Sequence, residues 1–420
     1  MIIKRFYVVP TVVIIIQYEK YFGGIIMNTL YPKFSKQEMK RRFKNLKKRM
    51  VKEEVDCLVI AGSSSRWNEK NANIRYLTQF ADKENMCSYL IFPLNGNPTL
   101  LIWASVRTNN VKLMSDIKDI RAVHPYYMEA VVDRIKELNL SNGRIGIDSY
   151  DRYMGIPNNH HEKIIRDLPN AKIKDVTGLV ESLRLIKSKE EIEFMRKACE
   201  LVDKAVERMI NETKVGMKDY QVYANVNHEI NMGGGEDPFL TLVGSTPMEN
   251  PNLPFPNIIP SGKEINKGDV LITEFTGRYG GYWGQTHKPL AIGQPNDLYR
   301  HLFDVNLELY EFIEKQLYPG NTFKNVLEAQ KILDREGLIK IAPFIHGIGM
   351  EAPEEPVIGM DNWPFDENDE IKEGMTFIVE PNPVTKDKNA AMFLGDTFVI
   401  TNNGCECLNS FPPKFSVVEG

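Results

Sequence analysis

Apolar positions recur along this chain in two rhythms. From Phe34 to about Met50, the residues Met39, Phe43, Leu46 and Met50 return at helical spacing among lysines and arginines, which predicts an amphipathic helix with a solvated basic face. "VDCLVIAG" then reads as a buried strand, "NIRYLTQF" follows, and "CSYLIFPLNGNPTLLIW" gives two apolar runs about an Asn-Gly turn, a hairpin signature. "AVVDRIKELNL" is helical, "GRIGIDS" a short strand and "HHEKIIRDLP" helical again. Strand and helix alternate in this way to about residue 175, the pattern of an α/β domain.

A boundary follows. Ser188 with Glu191 three residues later is a capping-box signature, and Ile192, Met195, Cys199, Val202, Val206 and Met209 then form one apolar stripe. Further helices are predicted over roughly 218–232, 297–316 and 323–336, and the end is rich in strands, with an Asn-Asn-Gly hairpin turn inside "FLGDTFVITNNGCECL". Helices interleaved with antiparallel hairpins predict an α+β second domain. The expected division is 27–185 and 186–420.

One hairpin carries unusual chemistry. In "DVLITEFTGRYGGYWGQTHKP", residues 269–289, two aromatic-rich extended runs flank "GRYGG". Pairing about that turn is expected to set Glu274 across from Gln285. A carboxylate, an amide and His287 along one buried face point to a metal, to a polar substrate, or to the remnant of a lost site.

Composition narrows the choice. A chain of 420 residues exceeds the usual single core, which agrees with two domains. The formal charge of -4 and pI near 6.1 give no general attraction to nucleic acid, and no membrane partner is expected. The five cysteines, Cys57, Cys87, Cys199, Cys405 and Cys407, are scattered and odd in number, so a disulfide framework is not indicated and a reducing cytoplasm fits. The first 26 residues imitate a signal peptide. Pro10 interrupts their apolar run and no small-residue cleavage site follows, so they read as translated leader or disordered chain, with the start expected at Met27.

Five segments, "LRLIKSKEEIEFMRKA", "KGDVLI", "GGYWGQTHK", "HGIG" and "EGMTFIVEP", resemble in order the creatinase, prolidase and aminopeptidase P family. "RRFKNLKKRMVKEEVDCLVI" and "NIRYLTQF" resemble the domain that precedes its catalytic one. The resemblance implies an α/β N-terminal domain, a C-terminal pita-bread domain and a homodimer. Peptidases of this family hold two metal ions with two Asp, one His and two Glu. Matched by position, these fall on Glu274, Gln285, His346, Glu380 and Gly395, so two of the five ligands are replaced. The family's histidine before the hairpin is matched by Asn257, and the one after "HGIG" by Pro353.

Removing two charges and both oxygen bridges disfavours a pair of hard cations. The expectation is therefore a centre without metal. The alternative is one divalent ion, manganese or zinc, held by Glu274, His346 and Glu380. On the main reading the protein is a creatinase-like, metal-independent hydrolase cutting a C–N bond in a small cationic nitrogen compound. Glu274, Glu380, His346 and His287 are then catalytic, and Gln285, Asn257, Trp283, Tyr282 and Phe255 bind substrate, with a cation–π contribution of about 0.5–2 kcal/mol from the aromatic rings. Two alternatives stay open: an Xaa-Pro dipeptidase or aminopeptidase P-like metallopeptidase with a residual metal site, and a non-catalytic binding protein on the same fold.

Overall fold

The computed structural model describes residues 30–62, 72–81, 88–148, 156–237 and 240–419, together with two short strands, Tyr21–Phe22 and Ile25–Ile26. The expected leader and start at Met27 otherwise lie outside the described residues, as does Cys87.

Helix α1 (Lys36–Lys52) starts at Ser35, whose side chain accepts from the Glu38 N–H. Its basic face is solvated except at Arg42. That residue is fully buried, its guanidinium 4.0 Å from the Phe34 ring centre and 4.2 Å from that of Tyr76, and it donates to Glu38 Oε1 at 2.7 Å. Next come β1 (Cys57–Ala61), α2 (Ala72–Thr78), β2 (Tyr89–Pro93), β3 (Thr99–Ile102), β4 (Asp119–Ala122), α3 (Tyr127–Glu137), β5 (Arg144–Asp148), α4 (Asn158–Asp167) and β6 (Lys172–Asp175). They form a six-stranded sheet in the order β4-β3-β2-β1-β5-β6, parallel except at β1–β2 and β2–β3. The Asn-Gly hairpin is the β2–β3 pair.

Helix α5 (Lys189–Glu212) opens with the full capping box of Ser188 and Glu191. It buries Met195, Cys199, Val202, Val206 and Met209. After α6 (Asp219–Met232) come β7 (Thr241–Pro247), β8 (Asp269–Tyr279), β9 (Tyr282–His287), β10 (Leu290–Ile292) and α7 (Asp297–Gln316). The helix expected over 323–336 is two, α8 (Phe323–Leu327) and α9 (Gln330–Glu336), because the chain tightens into three-residue turns at Glu328–Ile332. Strands β11 (Ile345–Gly347), β12 (Glu354–Ile358), β13 (Thr376–Val379), β14 (Gly395–Thr401), β15 (Gly404–Cys407) and β16 (Ser416–Val418) complete a ten-stranded sheet. Its order is β12-β11-β13-β14-β9-β8-β10-β16, with β7 added on β8 and β15 on β14; every pairing is antiparallel except β10–β16. The architecture is the expected one, an α/β N-terminal domain followed by a pita-bread domain.

Two glycines let α5 lie directly on the β8–β9 hairpin. Gly277 and Gly284 are paired across the strands, and a Cβ at Gly284 would meet the Cys199 backbone nitrogen at 2.5 Å. That close approach assigns the two faces. Phe275 packs with the helical layer, while Glu274, Gln285 and His287 take the opposite side. Among the described residues, no helix is long and apolar enough to cross a membrane.

Candidate functional site

The hairpin turn sets the site's register. Gly280 and Gly281 have φ of 57° and 89°, a two-residue turn with both central residues left-handed, and Tyr279 therefore pairs with Tyr282. Gln285 then faces Thr276, two residues along from the expected Glu274. The amide still reaches its carboxylate, Nε2 donating to Glu274 Oε1 at 3.0 Å, because diagonal neighbours on one face of a sheet lie within reach of long side chains. His287 follows Gln285 on the same face. His346 comes from β11, and Glu380 from the residue just past β13, its N–H held by the Phe344 carbonyl at 3.0 Å.

Glu274, His287 and Glu380 each offer a donor atom, and these atoms lie within 4.8 Å of one another. His287 Nε2 is 3.3 Å from Glu380 Oε2, and His346 Nε2 is 3.4 Å from Glu380 Oε1. All four residues are buried. Among the described residues no lysine or arginine pairs with either glutamate. Burial pushes Glu274 up to about 8; burial, then the Glu274 charge, pushes Glu380 up as well. Burial likewise brings His287 down to about 3 and His346 to about 4, so both rings are neutral.

The hydrogen bonds define which nitrogens are bare. His346 Nδ1 lies 2.8 Å from the Gly347 carbonyl and must carry the ring proton, which leaves a lone pair on Nε2 facing Glu380. His287 sits between two amides that ask for opposite tautomers. Gln285 Nε2, at 3.1 Å, donates to a bare Nε2; Asn382 Nδ2, at 3.4 Å, donates to a bare Nδ1. A neutral imidazole has one bare nitrogen, and the shorter contact favours Nε2. Turning the Asn382 amide over then gives Nδ1–H an acceptor, at the loss of a 3.3 Å contact from the Leu394 N–H. Gln285 Oε1 is buried without a partner among the described residues. Two carboxylates and two bare imidazole nitrogens thus converge with no lysine or arginine of the described residues among them, and an ion at His287 Nε2 would displace the Gln285 N–H from it. This donor set fits a divalent first-row ion.

Of the other residues singled out in the sequence, Phe255 reaches the site through a neighbour. Its ring packs on Phe393 (centroids 5.4 Å apart), which stacks on His287 (5.6 Å, 24° between planes). Asn257 lies in the same loop, against Gly244 of β7. Trp283 shares the site face of β9 but donates its indole N–H to the Met350 carbonyl at 3.1 Å. Tyr282 points to the opposite face and donates to Glu191 Oε1 at 2.7 Å, with Arg42 beside it at 3.2 Å.

Sequence reasoning passed over three contributors. They are Asn382, two residues after Glu380 in "EPN", Phe393 and Lys288. Lys288 is fully buried, its Nζ 2.6 Å from Asp396 Oδ2. Tyr310 donates to the same oxygen at 3.0 Å, and Thr286 to Oδ1 at 2.8 Å. The pair stands directly beside His287 and Gly395, which face each other across β9 and β14.

Comparison with known proteins agrees with this geometry. Residues 193–402 match the model of metallopeptidase family M24, and residues 42–186 that of the creatinase/prolidase N-terminal domain. An Xaa-Pro dipeptidase of Pyrococcus furiosus is 29% identical over 280 residues, 66% of this chain and 76% of its own. An Xaa-Pro dipeptidase of Pyrococcus horikoshii is 26% identical over 375 residues, 88% and 97%. Among solved structures, the prolidase from Pyrococcus horikoshii OT3 superposes with a TM-score of 0.74 at 24% identity, covering 90% of this chain and all 100% of its own. The X-Pro aminopeptidase from Thermotoga maritima MSB8 gives 0.77 at 22%, covering 90% and 99%.

The expectation of a centre without metal is overturned. A metallopeptidase family model covers the second domain, and three buried donors converge where an ion would sit. The physical error lay in counting lost ligands without seeing that His287 supplies a new donor beside them.

Proposed function

The chain belongs to the metallopeptidase family M24 and is a hydrolase of that family; on that premise we propose that it is an Xaa-Pro dipeptidase-like enzyme, cleaving the amide bond before proline in short peptides with a divalent ion at Glu274, His287 and Glu380. The observation that carries this reading is the buried pair of carboxylates around an imidazole, with no lysine or arginine of the described chain to balance them. The names of the curated relatives support the substrate class.

When bound, the ion supplies Lewis-acid polarisation of the scissile carbonyl and a water acidic enough to attack it near neutral pH. The chain's own residues do the rest. Glu274 and Glu380 balance positive charge in a largely buried place, and Phe393 and Phe255 wall it on one side. His346, with Nδ1–H fixed on the Gly347 carbonyl, presents a bare Nε2 that takes a proton from the attacking water. The same proton is returned to the departing proline nitrogen, which must leave as a secondary amine. One water is consumed, and one carboxylic acid and one amine are released.

A second reading has the same carboxylates receive the cationic nitrogen of a small compound whose C–N bond is cut; the aromatic run His287–Phe393–Phe255 beside two acids favours it. The reading also includes a cytoplasmic homodimer and a domain division near residues 185–186. The α5 cap at Ser188 supports the division, and the exposed Ile258 and Ile259, in the Asn257 loop, support the homodimer.

The test is a panel of Xaa-Pro dipeptides, Xaa-Pro tripeptides, dipeptides without proline and guanidino compounds, offered to chelated and Mn2+- or Zn2+-loaded protein. Ion-dependent release of free proline, absent in Glu380→Gln, is the expected result. Turnover of guanidino compounds alone would favour the second reading. An ion-loaded protein inert toward every member would refute both.

A further inference from the structure

We infer that this centre is built for a single divalent ion, held by Glu274, His287 and Glu380, and that the chain has closed the space a second ion would need. This rests on the metal-dependent reading above and goes beyond it in fixing how many ions the site takes and why.

The first reason is charge. Glu274 and Glu380 bring two negative charges when ionised, and His287 brings none. One divalent ion neutralises them. A second would add two positive charges where no further carboxylate of the described residues joins the donor group, among residues at most 7% exposed, and uncompensated buried charge is strongly unfavourable. Asp396 is near, but its two oxygens are held by Lys288, Tyr310 and Thr286. Gln285 is neutral and turns its amide nitrogen toward Glu274 and His287, so it adds no charge to offset a second ion.

The second reason is space. Gly395 pairs directly with His287, and directly opposed residues in an antiparallel ladder project to one face. Position 395 is therefore where another ligand would enter from β14. A Cβ there would lie 2.5 Å from the Val379 carbonyl oxygen and 3.3 Å from Glu380 Cβ. The first obstacle is backbone, which cannot swing aside as a side chain can. Strand β14 is paired directly with β13, and the imidazole of His287, stacked on Phe393, occupies the same face beside Gly395.

The experiment is titration of the chelated full-length protein with Mn2+ and with Co2+, read by calorimetry, by metal analysis after dialysis and by the Co2+ absorption spectrum. One ion per chain is expected in wild type, and His287→Asn should weaken it by at least about 100-fold and change the Co2+ spectrum. Gln285→Asp, which restores a carboxylate but leaves Gly395 in place, should bind the one ion more tightly and still stop at one. Two ions per chain in wild type, a second ion in Gln285→Asp, or wild-type affinity and spectrum in His287→Asn would overturn the inference while leaving metal dependence standing. No bound ion at all would instead sink the metal-dependent reading. Melting curves of each variant in chelator separate a lost ligand from a lost fold.

Discussion

Replacing Lys288 by methionine isolates the strongest buried electrostatic contact beside the site. Lys288 and Asp396 are both fully buried, with Nζ 2.6 Å from Oδ2. Methionine keeps most of the stem's volume and removes the charge. Asp396 is then left with two neutral donors, Tyr310 and Thr286. Removing one partner of a buried ion pair costs about 3–5 kcal/mol, and the two hydroxyls place this case near the lower end, about 3 kcal/mol. Against a total stability of roughly 5–15 kcal/mol the loss is large. Its pH dependence has a definite sign. Burial already holds Asp396 above its usual 3.8, and Lys288 is the main group opposing that rise. Without the lysine the folded-state pKa climbs further. A carboxyl raised on folding leaves stability intact below the unfolded pKa and removes it as pH rises through the folded one. Lys288→Met should thus match wild type most closely in acid and fall behind toward neutrality. Urea midpoints at about pH 5 and about pH 8, with unchanged slopes, measure this. The double variant Lys288→Met with Asp396→Asn should recover most of the loss. A deficit under about 0.5 kcal/mol, one independent of pH, or a double variant no better than the single would refute the reasoning.

Four further outcomes are expected. The chelated wild type should lose stability as pH rises from the ordinary carboxylate value near 4.5 toward about 8, because burial raises Glu274 on folding; added Mn2+ should flatten the slope in a melting series. Gly284→Ala should cost at least about 2 kcal/mol in urea denaturation, since its Cβ meets the Cys199 backbone nitrogen at 2.5 Å. Ser188→Ala should cost about 1 kcal/mol by the same assay, through loss of the capping box at α5. His346→Gln should keep one ion per chain by metal analysis, while peptide turnover falls by about 100-fold or more.

Much of the fold is legible one segment at a time. The apolar stripe and the Ser188–Glu191 box define α5, and the Asn-Gly turn defines the β2–β3 hairpin, because periodicity, caps and turns act over a few residues. The candidate donors Glu274 and Glu380, and His346 beside them, were likewise readable from short motifs that resemble a known family, His346 there as a ligand and not as a base. Tertiary structure decided the remainder. The left-handed pair Gly280–Gly281 moved Gln285 two residues off Glu274, a shift set by backbone angles and not by composition. Arg42, on the helix face that read as solvated, and Lys288 are buried because partners from distant segments, Tyr282 and Asp396, meet them. His287 became a donor only when β9 was laid beside β14 and near the bend after β13, bringing residues 274, 287 and 380 within 4.8 Å. Sequence determines which groups are present and the local shape of the chain around them; which lone pairs share one water-poor volume, and hence what charge they require, is fixed by strand order alone.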